Sequence, residues 1–379
     1  MSARVGRIVV VGAGIAGLTA CDALRSAGYD GELTLVGEET HAPYSRPALS
    51  KSLHAAGDMT AHQLPAPTHG ATEILGVRAE GLDAERGRVR LDSGEELGYD
   101  RLVIASGSRA RRLGGAESGE MVLRTLDDAL ALRARLAGRP SVVVVGAGPL
   151  GMEIASGCLT AGCEVTVVAD RPPMLPHLGP YLSAVLTGAA QRRGLRITDG
   201  AAVGVTGGAG RSSVVLADGR TVAGDLVVTA AGDLPNVEWL AGTGLLRGGR
   251  LEADARGRVA PRIVAAGDVA AFPTQHGVRR IPLWSSAVEQ AKVAAGALLH
   301  GDGAPALDFE PYFWTEQFGL TLKAAGFLPV HGEPEFRVGD HPEGPAVMRW
   351  EQEDGSGTAV AVNHRIPIPR LRRTAATAT

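Results

Sequence analysis

The chain makes one glycine-rich turn twice. Residues 7–20 read RIVVVGAGIAGLTA and residues 141–155 read SVVVVGAGPLGMEIA, which places the leading glycines, Gly12 and Gly146, 134 positions apart. Each copy begins with a short apolar run, passes through Gly-x-Gly-x-x-Gly and continues as an apolar-periodic stretch, a pattern that predicts buried strand, tight turn and helix. A second apolar run follows each helix, at 33–36 and at 165–168. Each copy is therefore a β-α-β unit. The 379 residues are enough for two to three domains with a large buried core.

The duplication extends further along the chain. LDSGEELGYDRLVIASG (91–107) matches LADGRTVAGDLVVTAAG (216–232) in pattern, pairing Gly94 with Gly219, Asp100 with Asp225 and Gly107 with Gly232 at a constant offset of 125. Ser-Gly and Asp-Gly between alternating apolar residues predict a hairpin that feeds a buried strand. The glycine turns are offset by nine more than the hairpins, so the first half carries about nine extra residues. HAPYSRPALSK (41–51) is the evident insertion, and it is expected to contact whatever the first turn binds. RIVAAGDVAAF (262–272) predicts one more buried strand ending at Gly267-Asp268, followed by a helix over 285–299. From Phe309 onward short alternating runs suggest a small α/β or mostly antiparallel domain, with the tail RLRRTAATAT expected to fray. The expected organisation is a discontinuous first domain (1–114 and 237–308), a second domain (115–236) and a C-terminal domain (309–379).

The turn itself indicates the chemistry. Its first glycine (Gly12, Gly146) bends the chain, its second (Gly14, Gly148) lets backbone amides approach a pyrophosphate, and its third (Gly17, Gly151) lets the helix pack on the strand. The N-terminus of the helix then faces the negative charge. Glu38, 26 residues after Gly12, stands where a carboxylate can bind ribose hydroxyls. After the second turn Ala169 occupies the strand end, and Asp170 follows, next to Arg171. A carboxylate favours a free 2′-hydroxyl and an arginine a 2′-phosphate, so both forms of the ribose stay open. Two such turns call for two nucleotides.

A net charge of -3 gives no electrostatic case for nucleic acid or an anionic membrane. No stretch approaches the ~18 uncharged apolar residues that a spanning helix needs. Cys21, Cys158 and Cys163 form neither a disulfide framework nor a zinc spacing, which fits a reducing cytoplasm. Cys158 and Cys163 lie on and after the second turn's helix and read as small buried hydrophobes. The ten histidines show no metal-ligand spacing, so no metal site is expected.

GAGIAG, GELTLVGEETHAPYSRPALSK, YDRLVIASGSRARRL, LRTLDDAL, GAGPLGMEIA, GDLPNVEWLAGTGL, AAGDVA, AVEQAKVAA and PYFWTEQFG follow one another here in the order found in FAD-dependent ferredoxin reductases. The chain resembles that family, the putidaredoxin reductase-like and dioxygenase reductase-like enzymes of the pyridine nucleotide-disulfide oxidoreductase-like fold, over nearly its whole length. The resemblance implies an α/β protein with two Rossmann-like (three-layer ββα) nucleotide-binding domains plus a small α+β C-terminal domain. It implies FAD on the first turn and NADH or NADPH on the second. FAD would then be held by Gly12, Gly14, Ile15, Ala16, Gly17 and Glu38, by Arg46 and Lys51, and by Val77, Ala105, Ser106, Gly107, Arg124, Gly267 and Asp268, with Trp284 and Trp314 near the ring. The nicotinamide nucleotide would be held by Gly146, Gly148, Leu150, Gly151, Glu153, Asp170 and Gly232. Lys51, Glu153 and Trp314 are the expected catalytic residues, with Glu153 orienting the nicotinamide amide. The partner implied is an acidic iron-sulfur ferredoxin serving a haem or Rieske-type oxygenase, drawn by Arg109, Arg111, Arg112, Arg370, Arg372 and Arg373. Ala169 and Pro282 depart from the family pattern. A flavin oxidase or dehydrogenase acting on an organic substrate, and a redox-silent FAD-binding protein, are the alternatives.

Overall fold

The computed structural model describes residues 5–53, 62–208, 210–352 and 355–376. Its helices are α1 (Ile15–Ser26), α2 (Arg46–Lys51), α3 (Leu126–Leu136), α4 (Pro149–Thr160), α5 (Leu175–Leu178), α6 (Pro180–Arg192), α7 (Trp284–His300) and α8 (Ile368–Ala376). The chain divides into two compact units. One contains Met1–Ser45, His62–Arg109 and Leu234–Phe309; the other contains Arg46–Ala61, Ala110–Asp233 and Glu310–Thr379.

In the first unit a six-stranded sheet runs in the order Arg258–Ala260, Ile263–Ala265, Arg101–Ile104, Arg7–Val11, Glu32–Gly37, Thr72–Leu75. Every pair from Ile263–Ala265 to Thr72–Leu75 is parallel. Ile8 and Val10 share a core with Leu18 and Leu24 of α1 and Ala291 and Ala294 of α7. Val9 and Val11 share another with Val89, Leu91, Leu102 and Phe272. Val89 and Leu91 belong to a three-stranded antiparallel sheet, Ala79–Asp83, Arg88–Leu91 and Glu96–Gly98. A strand covered on both faces cannot alternate polar with apolar residues, which explains the unbroken apolar run before Gly12.

The second unit repeats this plan. Its parallel sheet has the order Arg196–Asp199, Glu164–Ala169, Ser141–Val145, Leu226–Thr229, Glu120–Val122. Val143 and Val145 pack on Val205, Val214 and Leu216 of an antiparallel sheet formed by Ala202–Gly208, Arg211–Leu216 and Thr221–Gly224. The paired aspartates also perform the same task. Asp100 Oδ2 accepts from the backbone amides of Gly6 at 2.8 Å and Arg7 at 2.7 Å, and Asp225 Oδ2 accepts from the Ser141 amide at 3.0 Å and hydroxyl at 2.7 Å. Each carboxylate pins the start of the strand that leads into a glycine turn.

Residues 310–379 contribute a wholly antiparallel sheet in the order Tyr312–Gln317, Leu320–Ala325, Gly357–Val362, Ala346–Glu351, Glu335–Val338. The tail expected to fray is helical as far as Ala376. Leu371 and Ala375, one turn apart on α8, join the core of Tyr312, Val347, Ala359 and Ala361. Burying this pair offsets the entropy that would otherwise leave a chain end loose.

Candidate functional site

In the first unit Gly12 takes φ +116° and its amide donates to Val36 O at 2.8 Å. A Cβ there would fall on the Ala105 carbonyl, and one on Gly17 would fall on the Gly12 carbonyl, so both positions are closed to any other residue. A Cβ on Gly14, the N-cap of α1, would meet nothing within 4 Å. That open space lies at a helix N-terminus with no capping side chain, which fits a pyrophosphate. Ile15 and Ala16 begin the helix. Glu38 follows the second strand, exposed, 3.7 Å from Arg78. Val77 donates its amide to Gly37 O at 3.1 Å. The segment Ala105–Gly107 is fixed by Asn236, which donates Nδ2 to Ser106 O at 2.9 Å and accepts Ser106 Oγ on its own carbonyl at 2.9 Å. Gly267 comes against Ala16, and Asp268, next in the chain, accepts from Ser108 Oγ at 3.4 Å. The Gly267 amide donates to buried Gln290 of α7 at 2.9 Å. Trp284 opens α7, half-buried. Two positions later Ser286 Oγ is buried with no protein partner, an orphaned polar atom of the kind a bound group would satisfy. Asn236 and Gln290 lie inside the quoted stretches, where nothing marks these contacts, and Ser286 lies outside them.

The second turn copies the first. Gly146 takes φ +102° and donates to Val168 O at 2.9 Å, and a Cβ on Gly151 would fall on the Gly146 carbonyl. Leu150, in the first turn of α4, is 37% exposed. Gly232, at φ +93°, accepts the Arg111 amide at 3.1 Å. The pairing register fixes the acid. Val11 stands opposite Val36 and Val145 opposite Val168, so Asp170, two residues past Val168, is the counterpart of Glu38, two past Val36. The Ala169 departure thus leaves a carboxylate in the equivalent place. Asp170 is exposed and 3.9 Å from Arg171. One difference separates the copies: the ring of His177 lies 3.2 Å from where a Cβ on Gly148 would be. Burial lowers the His177 pKa below its ordinary 6.5. No motif marked His177.

Arg46, Lys51, Arg124 and Trp314, which the resemblance links to the flavin, belong to the second unit. Arg46 donates to the Arg124 carbonyl at 2.8 Å. The three residues expected to be catalytic come together. Lys51 Nζ lies 2.9 Å from both oxygens of Glu153, donates to Pro47 O at 3.1 Å, and sits 5.9 Å from the Trp314 ring centroid. Glu153 also accepts from Ser50 Oγ, and from Thr315 Oγ1 at 2.7 Å. About four lone-pair directions of the carboxylate are therefore taken. Any further donor reaching Glu153 would have to displace one of these. Ser50 and Thr315 lie inside the quoted stretches, but nothing in their spacing announced this contact.

Cys21, Cys158 and Cys163 are free and buried. Burial pushes the thiols of Cys21 and Cys158 up to about 12 and raises that of Cys163, so all three are protonated and inert at neutral pH. Among the described residues no group of three or more His, Cys, Asp or Glu could hold a metal ion, and no helix is long and apolar enough to cross a membrane. Of the arginines expected to steer a partner, Arg109 pairs with Glu238 at 2.6 Å, Arg112 donates to the Glu120 carbonyl at 3.0 Å, and Arg372 pairs with Glu310 at 3.1 Å. Arg111, Arg370 and Arg373 are exposed.

Residues 6–291 match the family model described as pyridine nucleotide-disulphide oxidoreductase. The chain is 36% identical over 362 residues, 93% of its length and 88% of the relative's, to the ferredoxin--NAD(+) reductase component of the p-cumate 2,3-dioxygenase system of Pseudomonas putida. It is 34% identical over 369 residues, 94% and 90% of the two chains, to the biphenyl dioxygenase counterpart of Paraburkholderia xenovorans (strain LB400). Its fold superposes with a TM-score of 0.86 and 27% identity on putidaredoxin reductase in a covalent complex with putidaredoxin, covering 98% of this chain and 92% of that one. Two glycine cradles of one design, each followed by a carboxylate, belong with those likenesses: the chain is a member of the pyridine nucleotide-disulphide oxidoreductase family, an oxidoreductase that uses FAD and a pyridine nucleotide.

Proposed function

We propose that the chain is the reductase of an oxygenase system, drawing electron pairs from NADH through FAD and delivering them singly to an iron-sulfur ferredoxin. The observation that carries this reading is likeness to dioxygenase reductase components over 93% of the chain, extending past the nucleotide-binding halves into the C-terminal sheet. FAD supplies the conversion between two-electron and one-electron chemistry, and the protein supplies binding and position. Gly14 and the N-terminus of α1 hold its pyrophosphate, Glu38 the adenosine ribose and Asp268 the ribityl chain. Gly148 and the N-terminus of α4 hold the nicotinamide nucleotide, with Asp170 on its ribose. A 2′-phosphate beside Asp170 would meet like charge, so NADH is the expected donor. Glu153 and Lys51 serve the nicotinamide end as a pair. The domain reading of 1–114 with 237–308, 115–236 and 309–379 goes with these roles, and so does a cytoplasmic setting.

Anaerobic titration with NADH tests this. Bleaching of the flavin bands by one equivalent, with NADPH the poorer donor, is the expected result, followed by an increase of at least about tenfold in cytochrome c reduction when a ferredoxin is added. Unbleached flavin would indicate a redox-silent protein. Bleaching without the ferredoxin effect would indicate a flavoenzyme with another acceptor.

A further inference from the structure

The groups around Glu153 are all donors: the Lys51 ammonium, the Ser50 and Thr315 hydroxyls, and the Glu316 amide at 3.4 Å. Glu153, Ser50 and Thr315 are 6%, 4% and 0% exposed. Each of these contacts is therefore one that the carboxylate accepts. The direction of the Thr315 bond is also decided. Gln317 Nε2 donates to Thr315 Oγ1 at 2.9 Å, which commits the threonine proton to Glu153 and polarises the chain of bonds toward it.

The two hydroxyls hold different oxygens from different segments, Ser50 from α2 and Thr315 from the strand Tyr312–Gln317, and together they fix the carboxylate plane. Ser156, one turn along α4, ties the same strand end by accepting the Phe318 amide at 2.8 Å, where the hairpin takes φ +50°. If Lys51 gives way to an arriving amide, the hydroxyls are what still satisfies a buried charge, whose loss of partners is costly.

Resting on the reading that Glu153 serves the nicotinamide, we propose that Thr315 is a positioning residue of the nucleotide site, acting through Glu153, with Ser50 as its counterpart on the other oxygen. Thr315→Val keeps the shape and removes the donor.

The test measures the NAD+ dissociation constant of the holoenzyme by calorimetry, with stopped-flow flavin reduction as a second reading, in Glu153→Gln, Thr315→Val, Thr315→Ser, Ser50→Ala and the Glu153→Gln/Thr315→Val double variant. Glu153→Gln and Thr315→Val are each expected to weaken NAD+ about tenfold. The double variant should be no more than about twofold worse than Glu153→Gln, because both remove one device. Thr315→Ser should bind within about twofold of wild type, a rescue that loss of packing alone would not give. Wild-type affinity in Thr315→Val, or effects that multiply in the double variant, would overturn the proposal. Should Thr315→Val not fold, Ser50→Ala decides by the same comparison. Unchanged affinity in Glu153→Gln would instead remove the reading of Glu153 itself, and this proposal with it.

Discussion

Gly14 and Gly17 lie three residues apart in one motif, yet a methyl group has opposite consequences at each. At Gly17 it would occupy the Gly12 carbonyl, which no rotamer can avoid. At Gly14 it would enter open space, on a backbone at φ −78° and ψ −175° that alanine adopts freely. Packing thus explains Gly17, while Gly14 is explained only by what occupies that space. Gly14→Ala is expected to leave the flavin-free protein within about 0.5 kcal/mol of wild type, as for a substitution that touches nothing. Its FAD affinity should fall at least about tenfold as the methyl displaces the pyrophosphate. Gly17→Ala should lose about 3 kcal/mol or fail to fold. Urea unfolding of stripped protein and flavin retained per chain after desalting separate the two, and full retention by Gly14→Ala would refute the assignment.

At the scale of elements, the two strands that enter the glycine turns start on carboxylates. Amide donors hold the Asp100 pKa below its ordinary 3.8, the Arg7 amide above all. A carboxylate so depressed stabilises the fold fully above its unfolded value, and the contribution is lost as pH falls toward the folded one. Asp100→Asn should therefore cost about 1 kcal/mol at neutral pH, a modest figure because the group is largely solvated. That difference should shrink on going from about pH 7 to about pH 3, as the unfolded wild-type chain takes up the proton that the folded carboxylate resists. Urea midpoints of both proteins across that range check it, and a constant gap would mean that Asp100 acts by shape alone. These elements were legible because their causes are local: Gly12 and Gly146 bend the chain where the motif says, and the constant offset of 125 survives as hairpins with Gly94 at φ +87° and Gly219 at φ +85°. α8 was not legible. Its Pro369, three arginines and short length argue against a free helix, and only the burial of Leu371 and Ala375 on the C-terminal sheet holds it.

For the whole molecule, the sequence identifies residue types at the candidate site more readily than it identifies their neighbours. Lys51, Glu153 and Trp314 could be named from the stretches that contain them. Ser50 meets Glu153 across 103 positions and Thr315 meets it across 162, separations that leave no periodic trace. Charge poses the same problem, since 38 cations against 41 anions give a weak net field, and any steering of an acidic ferredoxin must come from a local patch. Arg109, Arg337 and Arg372 each pair with a carboxylate of the chain. On α8, Arg370 is exposed and lines a cleft of about 250 Å³ with Arg337 and His364, and Arg373 lies one turn on. Screening shortens from about 10 Å at 0.1 M salt to about 3 Å at 1 M, so attraction through such a patch weakens steeply with ionic strength while a neutral acceptor is unaffected. Ferredoxin-dependent cytochrome c reduction should accordingly fall about tenfold or more between about 0.05 and 0.5 M salt, with NADH-to-benzoquinone turnover constant. Arg370→Ala/Arg373→Ala should lower the low-salt rate several-fold and flatten the salt slope, with quinone turnover unchanged. A wild-type slope in that variant would move the docking face away from α8, and no salt effect in either protein would mean that the ferredoxin is recognised without charge.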